Sequence, residues 1–366
     1  MKSKILIVGG GKIGQMVTLL LSSCGDYEVT VIDNSDHNFK ILNAMGAATK
    51  IIDVTNEADL NAASSGKNFM LSCLPFFLTP HIAKAAKTAK AHYFDLTEDV
   101  SVTRIVQDLA QDAECAFMPQ SGLAPGFISI AAYDLSKKFD TIDQLRMRVG
   151  ALPKYPSNAI KYNLTWSTEG LINEYIHPCQ ALVDGEIVDV PALDGYETFA
   201  LDGILYEAFN TSGGLGSLCD TLKGKARNLN YRSVRYPGHC EVMKLMLNDL
   251  KLRDRPDILK DILENAIPAT TQDVVMIWVS ASGVQNGRFM EETYVTKVYS
   301  GNVHGKACSA IQITTAASVC AVIDMVRDGT LPQQGLIKQE DVDLSAFLDN
   351  RFGCYYKPGC HTASDV

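Results

Sequence analysis

Lys4-Ile5-Leu6-Ile7-Val8 runs directly into Gly9-Gly10-Gly11-Lys12-Ile13-Gly14. An apolar β-branched run, then G-x-G-x-x-G, then a helical pattern is the fingerprint of a strand–turn–helix that cradles a dinucleotide. Gly9 allows the tight turn, Gly11 lets backbone approach a pyrophosphate, and Gly14 lets the helix pack closely on the strand. The first-turn amides, those of Lys12 and Ile13 among them, then face the phosphates. Val29-Thr30-Val31-Ile32 is a second apolar strand, ending at Asp33 nineteen residues beyond Gly14. A carboxylate there holds a free ribose 2′-hydroxyl and repels a 2′-phosphate. Asn34 follows it and no arginine is adjacent, so NAD is expected in preference to NADP.

The chain has 366 residues, 46% of them hydrophobic and 20% charged, which suits a globular protein of two or three domains. Its net charge of −9, with no basic block, argues against a nucleic-acid partner or an anionic membrane. The ten cysteines form no C-x-x-C pair and take no metal-ligand spacing with the seven histidines. Reduced thiols in a cytoplasmic protein, with no metal site, are therefore expected. Lys2 and Lys4 precede an apolar run, but it stops at the glycines after five residues. With no apolar stretch of eighteen residues recognised, neither a signal peptide nor a membrane span is expected.

Strand patterns at 4–8, 28–32, 49–52, 68–73, 91–94 and 115–118 alternate with helical ones, clearest from Leu78 to Lys90. This texture implies parallel β-α-β units. It changes after Gly122-Leu123-Ala124-Pro125-Gly126: a helix at 127–138 leads to alternating segments at 145–149, 162–166, 229–235 and 274–279. Segments 273–282 and 289–299 read as a hairpin, and a helical pattern returns from Ala310 to Met325. The expected fold is α/β, a doubly wound Rossmann sheet with a second α+β domain on a mostly antiparallel sheet. The expected nucleotide domain comprises 1–122 and 310–366, and the central domain 123–309.

Ligands of open parallel sheets bind beyond the carboxyl ends of the strands. That rule selects 9–14, Asp33-Asn34, Asp53-Val54, Cys73-Leu74-Pro75 and the loop from Asp95 to Glu98. Asp53 and Val54 stand where adenine is often read; Cys73, Leu74 and Pro75 stand by the inner phosphate and nicotinamide. Hydride removal at a carbon–nitrogen bond needs a neutral nitrogen, so a base must first take a proton. Asp95, Glu98, Glu169, Tyr175, Glu197 and His239 have suitable chemistry, and Asp95, Glu98 and His239 are the expected catalytic groups. Arg235 ends a strand that Pro237-Gly238 stops, a place suited to bidentate carboxylate binding. Thr211 to Gly216 reads as a substrate-facing loop or helix entry and not as a second nucleotide site.

Trp166 to Tyr175, Tyr206 to Leu215, Val234 to His239 and Gly122 to Gly126 together resemble the saccharopine dehydrogenase family. The resemblance implies a Rossmann domain completed by C-terminal helices and a central domain supplying substrate contacts and a homodimer interface. It also implies NAD-linked oxidation at the ε-carbon of a lysine skeleton, with imine hydrolysis giving 2-aminoadipate 6-semialdehyde. The expected contacts to a small amino-acid substrate are Gly122, Pro125, Gly126, Glu169, Tyr175, Thr211, Gly213, Arg235 and Tyr236. Saccharopine carries three carboxylates and lysine one. Arg146, Arg148, Arg227, Arg232 and Arg235 tilt the expectation to saccharopine with glutamate as product, although a solvent-facing role for Arg146 and Arg148 is equally open. Alternatives are lysine 6-dehydrogenase, a carboxynorspermidine-type imine reductase, or a non-catalytic NAD-binding regulator.

Overall fold

A computed structural model describes residues 2–360. The chain divides into two units: one runs to Phe127 and adds His304–Lys306 and Gln312–Cys360, the other takes Ile128–Val303 and Ala307–Ile311. The expected nucleotide domain extends to residue 366, and its last six residues lie outside the described residues.

The first unit alternates strand and helix: β1 (Ser3–Val8), α1 (Lys12–Ser23), β2 (Tyr27–Asp33), α2 (Phe39–Ala44), β3 (Ala48–Ile51) and α3 (Glu57–Ser64). There follow β4 (Phe69–Ser72), α4 (Thr79–Ala89), β5 (His92–Asp95), α5 (Val100–Ala110) and β6 (Ala116–Met118). All strands are parallel, in the order β6-β5-β4-β1-β2-β3, with the short strand Gly335–Leu336 added beside β6. The central strand β1 is apolar from Ile5 to Val8 and these four residues are fully buried, as a strand covered on both faces must be. Helix starts follow local chemistry. Asn56 accepts from the Asp59 amide to begin α3, Asp99 from the Val102 amide to begin α5, and Pro80 sits in the first turn of α4.

The helix Ala310–Arg327 corrects one expectation. It is long and apolar enough to cross a membrane, with a mean hydropathy of 1.3, but 83% of it is buried inside the protein. A polar hub near its end ties it down. Asp324 accepts from the Tyr27 hydroxyl at 2.9 Å, from Asn350 Nδ2 at 3.0 Å and from Arg351 Nε and Nη2 at 3.0 and 2.7 Å.

The second unit carries α6 (Phe127–Ser136), β7 (Thr141–Pro153), α7 (Thr168–Ile176), β8 (Cys179–Val183), β9 (Glu186–Val190), β10 (Glu197–Leu201) and β11 (Ile204–Asn210). After them come α8 (Leu218–Leu222), β12 (Ala226–Arg235), α9 (His239–Lys244), α10 (Pro256–Ala266), β13 (Asp273–Gln285) and β14 (Arg288–Tyr299). The sheet runs β10-β11-β12-β7-β13-β14, with β8 and β9 branching from β12. Among the described residues of this sheet the β12–β7 pairing is parallel and the other strand pairings are antiparallel. The hairpin strands are longer than expected and turn on Asn286-Gly287, both at positive φ, the two-residue turn that suits twisted strands. Tyr162–Trp166 is loop and not strand. The Asn158 side chain takes the Tyr162 amide and carbonyl, and Leu164 makes only an isolated bridge to Ala269.

Removing the Asp324 carboxylate leaves the buried Tyr27 hydroxyl without its acceptor and takes from Arg327 and Arg351 one of their two carboxylate partners, the other being Asp26. Discounted for the partial exposure of Arg327 and Arg351, Asp324→Ala is expected to cost about 2–3 kcal/mol. Chemical denaturation should show the loss; an unchanged midpoint would remove the hub from the account of the fold.

Candidate functional site

The strand order reverses between β1 and β4, so the loops that leave those two strands define the binding edge of the sheet. Gly9 adopts φ +107°, and a Cβ on it would stand 2.9 Å from the Cys73 carbonyl oxygen. A Cβ on Gly14 would collide with the Gly9 carbonyl oxygen, whereas Gly11 has open space around it. The start of α1 lacks a side-chain cap, leaving its first amides for a ligand. These features fit a bound pyrophosphate. Asp33 sits half-buried at the end of β2, accepting from the Gly10 amide at 2.7 Å and the Ser35 amide at 3.2 Å. A carboxylate has about four acceptor positions, so it retains capacity for ribose hydroxyls.

Other expected cofactor positions differ in character. Asn34 and Lys12 are exposed and Ile13 half-buried. Asp53 is exposed and turns onto Thr55, whose amide and hydroxyl lower its pKa, while the Val54 side chain is packed in the core. Cys73 is held through its amide by the Val8 carbonyl, and burial pushes its thiol up to about 12. Leu74 packs against the core and Pro75 is exposed before a short 3-10 turn.

Two carboxyls lie beyond β5. Asp95 is fully buried and accepts from the Tyr93 hydroxyl and the amides of Thr97 and Gln120 at 2.9, 3.1 and 2.9 Å. Burial raises its pKa to about 6 against the lowering effect of those bonds. Glu98 is half-buried; desolvation, with the charges of Asp99 and Asp95, lifts it to about 7. Asp95 locks the loops after β5 and β6 together through its bonds to the Thr97 and Gln120 amides. Beyond β6, Gly122 and Gly126 form a bridge around a cis Ala124–Pro125 bond, with Gly126 at φ +136° and all three residues Gly122, Pro125 and Gly126 buried.

In the second unit a buried chain of polar groups crosses the helix-covered face of the sheet. Arg235 Nε donates to the Tyr175 hydroxyl at 3.0 Å, and that oxygen lies 3.1 Å from His239 Nε2. His239 Nδ1 is 2.9 Å from the Ile160 carbonyl oxygen, which can only accept, so Nδ1 carries the proton and Nε2 accepts from Tyr175. Burial, with Arg235 nearby, drives the His239 pKa down to about 3. Both of its nitrogens are engaged and it stays neutral. The Arg235 guanidinium lies 5.1 Å from the Tyr162 ring centre.

The remaining expected contacts do not gather around Arg235. Glu169 pairs with Lys260 at the surface, 2.7 Å apart. Glu197 bridges Arg148 and Arg232. Thr211 is buried against the Ser233 hydroxyl at 2.8 Å. Gly213 takes positive φ, and a Cβ on Gly214 would enter the Tyr231 ring, so this glycine stretch serves packing. Tyr236 stacks on Tyr206 and donates to the Pro153 carbonyl at 2.9 Å. Arg148 is fully buried, against the equal expectation of solvent exposure, whereas Arg146 is exposed.

Comparison with known proteins gives this arrangement a family. Residues 5–121 match the saccharopine dehydrogenase NADP-binding domain and residues 122–350 the saccharopine dehydrogenase C-terminal domain. The chain belongs to the saccharopine dehydrogenase family. The mitochondrial alpha-aminoadipic semialdehyde synthase of Rattus norvegicus is 25% identical over 52% of this chain and 21% of its own length. The saccharopine dehydrogenase [NADP(+), L-glutamate-forming] of Pyricularia oryzae is 22% identical over 74% of this chain and 62% of its own. The chain thus spans about a fifth of the first relative and under two thirds of the second. The structure of apo saccharopine dehydrogenase (L-Glu forming) from Saccharomyces cerevisiae superposes with a TM-score of 0.79 at 18% identity, covering 95% of this chain and 97% of that one. At that identity it shows a shared fold.

Membership of the saccharopine dehydrogenase family makes the first unit an NAD(P)-binding domain. Sequence reading passed over Tyr93, Gln120 and Tyr162. Tyr93 had a signal: it stands two residues before Asp95 in one strand, hence on the same face. Gln120 and Tyr162 had none, since each meets its partner through a distant segment.

The buried neutral histidine carries a pH signature. His239 has a folded pKa of about 3 against an unfolded value near 6.5, so between these the unfolded chain binds the extra proton. Its contribution is present above the unfolded value and lost as pH falls through that window. Urea unfolding at a series of pH values should show a stability slope below pH ~6.5 that His239→Gln reduces; an identical slope in the variant would contradict this assignment.

Proposed function

We propose that this chain is an NAD-dependent oxidoreductase acting on the carbon–nitrogen bond of a lysine-derived amino acid, with saccharopine as first substrate and glutamate and 2-aminoadipate 6-semialdehyde as products. The observation that carries the chemistry is the Glu98 carboxyl, held near neutrality at about 7 on the ligand-binding edge of a nucleotide-binding sheet. NAD, when bound, supplies the hydride acceptor. The cradle of Gly9, Gly11 and Gly14 with the amides of Lys12 and Ile13 would hold its phosphates, and Asp33 its ribose. Glu98 takes the proton from the substrate nitrogen so that its lone pair is free. As the conjugate acid it then serves the proton transfers of imine hydrolysis. Arg235, walled by Tyr162 and Tyr175, binds a substrate carboxylate. The preference for saccharopine is supported by the names of the relatives, two of which use NADP. The preference for NAD rests on Asp33 alone.

One observation favours lysine as the alternative substrate. Side chains alternate across a strand, so Arg232 leaves β12 on the opposite face from Arg235. Arg146 and Arg148 share the Arg232 face, through Arg148–Glu197–Arg232, and Arg227 pairs with Asp184 at the surface. The arginine count therefore no longer argues for three carboxylates. Cytoplasmic residence and a homodimer belong to the same proposal. All ten cysteines are free, which suits a reducing compartment. Phe199, Trp278, Val295 and Tyr299 give the sheet a partly exposed apolar face.

Purified protein with NAD and saccharopine, lysine or carboxynorspermidine should generate reduced cofactor with one of them; NAD binding without turnover on any would favour the regulatory reading. Oxidation should rise with pH through about 7 as Glu98 loses its proton, and Glu98→Gln should lower kcat by about a hundredfold and flatten that rise. Asp33→Asn keeps an acceptor for the Gly10 amide but removes the charge. It should weaken NAD by about tenfold and relax the rejection of NADP, as loss of a charged hydrogen bond does; unchanged affinity for both cofactors would show that Asp33 does not read the ribose.

A further inference from the structure

The end of the first unit holds a pair of groups that the proposed reaction does not use. Arg351 is anchored to Asp324 and Asp26, and a 3-10 turn (Gly353–Tyr356) follows it. Tyr356 fixes this turn, its ring stacked on Phe127 at 3.7 Å and its hydroxyl donating to the Thr314 carbonyl at 2.7 Å. The chain then reverses through Lys357-Pro358-Gly359, with Gly359 at φ +84°, and brings Cys360 back onto Cys354. Their Sγ atoms lie 2.7 Å apart. The two sites differ in access: Cys360 is exposed, while Cys354 is half-buried and donates to the Arg351 carbonyl at 3.2 Å.

We propose that Cys354 and Cys360 form a reversible thiol–disulfide pair, a modification site whose oxidant is a hydroperoxide. Exposure assigns the first step to Cys360. Its thiolate attacks the terminal peroxide oxygen, an S–O bond forms, the O–O bond breaks, and the alkoxide leaves as the alcohol after taking a proton. Cys360 is then a sulfenic acid. Cys354 Sγ attacks that sulfur, the S–S bond forms and the S–O bond breaks. The Cys354 proton leaves with the hydroxyl as water. Two thiols have lost two electrons and two protons, and the peroxide is reduced to alcohol and water. Cys354, half-buried with its sulfur 2.7 Å from that of Cys360, is less open to the oxidant and is placed to resolve the sulfenic acid. Because the turn already holds the sulfurs together, closing the seven-residue loop needs no refolding of the segment. A dithiol reductant reverses it by exchange through a mixed disulfide.

The full-length protein should be treated with hydrogen peroxide, denatured, and its thiols alkylated. Titratable thiols are expected to fall from the ten of the chain to eight, with a Cys354–Cys360 cross-link in the non-reducing peptide map. Dithiothreitol should restore all ten. Cys354→Ser should stop at a sulfenic acid on Cys360 that dimedone traps, and Cys360→Ser should lose no thiol pair at this segment. Both replacements are nearly isosteric, so thermal melts should match the parent. Loss of thiols elsewhere with no such cross-link would overturn the proposal, as would Cys360→Ser losing two thiols at the parental rate.

Discussion

The first unit depends on how closely the start of α1 approaches the ends of β1 and β4. Gly14 has to sit on the Gly9 carbonyl and Gly9 on the Cys73 carbonyl, where any side chain would collide. Asp33 fastens the same turn through the Gly10 amide. One packing requirement thereby produces the binding feature. A helix brought so near the strand ends, without a side chain over its first turn, leaves amide hydrogens and a partial positive charge directed at the edge where the strand order reverses. A bulkier residue at Gly14 would therefore damage packing and phosphate binding together, because both use the same few ångströms.

This economy explains why the first unit was largely readable from sequence. The cores of β1, β4 and β6 are short apolar runs because both faces of the sheet are covered, and a glycine or an acid marks where β1, β2 and β5 stop. The second unit has one partly exposed sheet face and long-range polar contacts, so pattern alone was less informative. Tyr162–Trp166 alternates like a strand, but the Asn158 side chain captures the backbone groups that a ladder would need. Arg148 alternates like a surface residue, yet Glu197, forty-nine residues on, meets it in the interior. His239 has the chemistry of a proton carrier, whereas the Ile160 carbonyl, seventy-nine residues earlier, fixes its tautomer and the Tyr175 hydroxyl, sixty-four residues earlier, engages its other nitrogen. In each case the deciding partner lies far along the chain.

The separation of the two carboxyls beyond β5 follows similar logic. Asp95 and Glu98 are three residues apart and both are lifted by burial, but only Asp95 has its oxygens filled by three donors from β5, the following loop and Gln120. A carboxylate so engaged would have to break those bonds to move a proton. Glu98 is raised further, to about 7, and is half-exposed. The same burial thus yields one group suited to holding loops and one suited to exchanging protons.

Strand parity bears on recognition in the same way. β12 sends Arg235 to the face covered by helices, with Tyr162 and Tyr175 around it, and Arg232 to the other face, where Glu197 neutralises it together with Arg148. Arg232 and Arg148 are then components of the sheet, each already holding a carboxylate oxygen. Moving either to a ligand would give up one of the two ion pairs that hold Glu197 in the sheet, a loss that a ligand carboxylate would have to offset. Arg235 is a single buried guanidinium in an aromatic setting, bonded to the Tyr175 hydroxyl and, among the described residues, with no such carboxylate bridge to another arginine. These arginines of the sheet therefore do not act together on one face: Arg148 and Arg232 serve Glu197, and of the three Arg235 alone faces the helices.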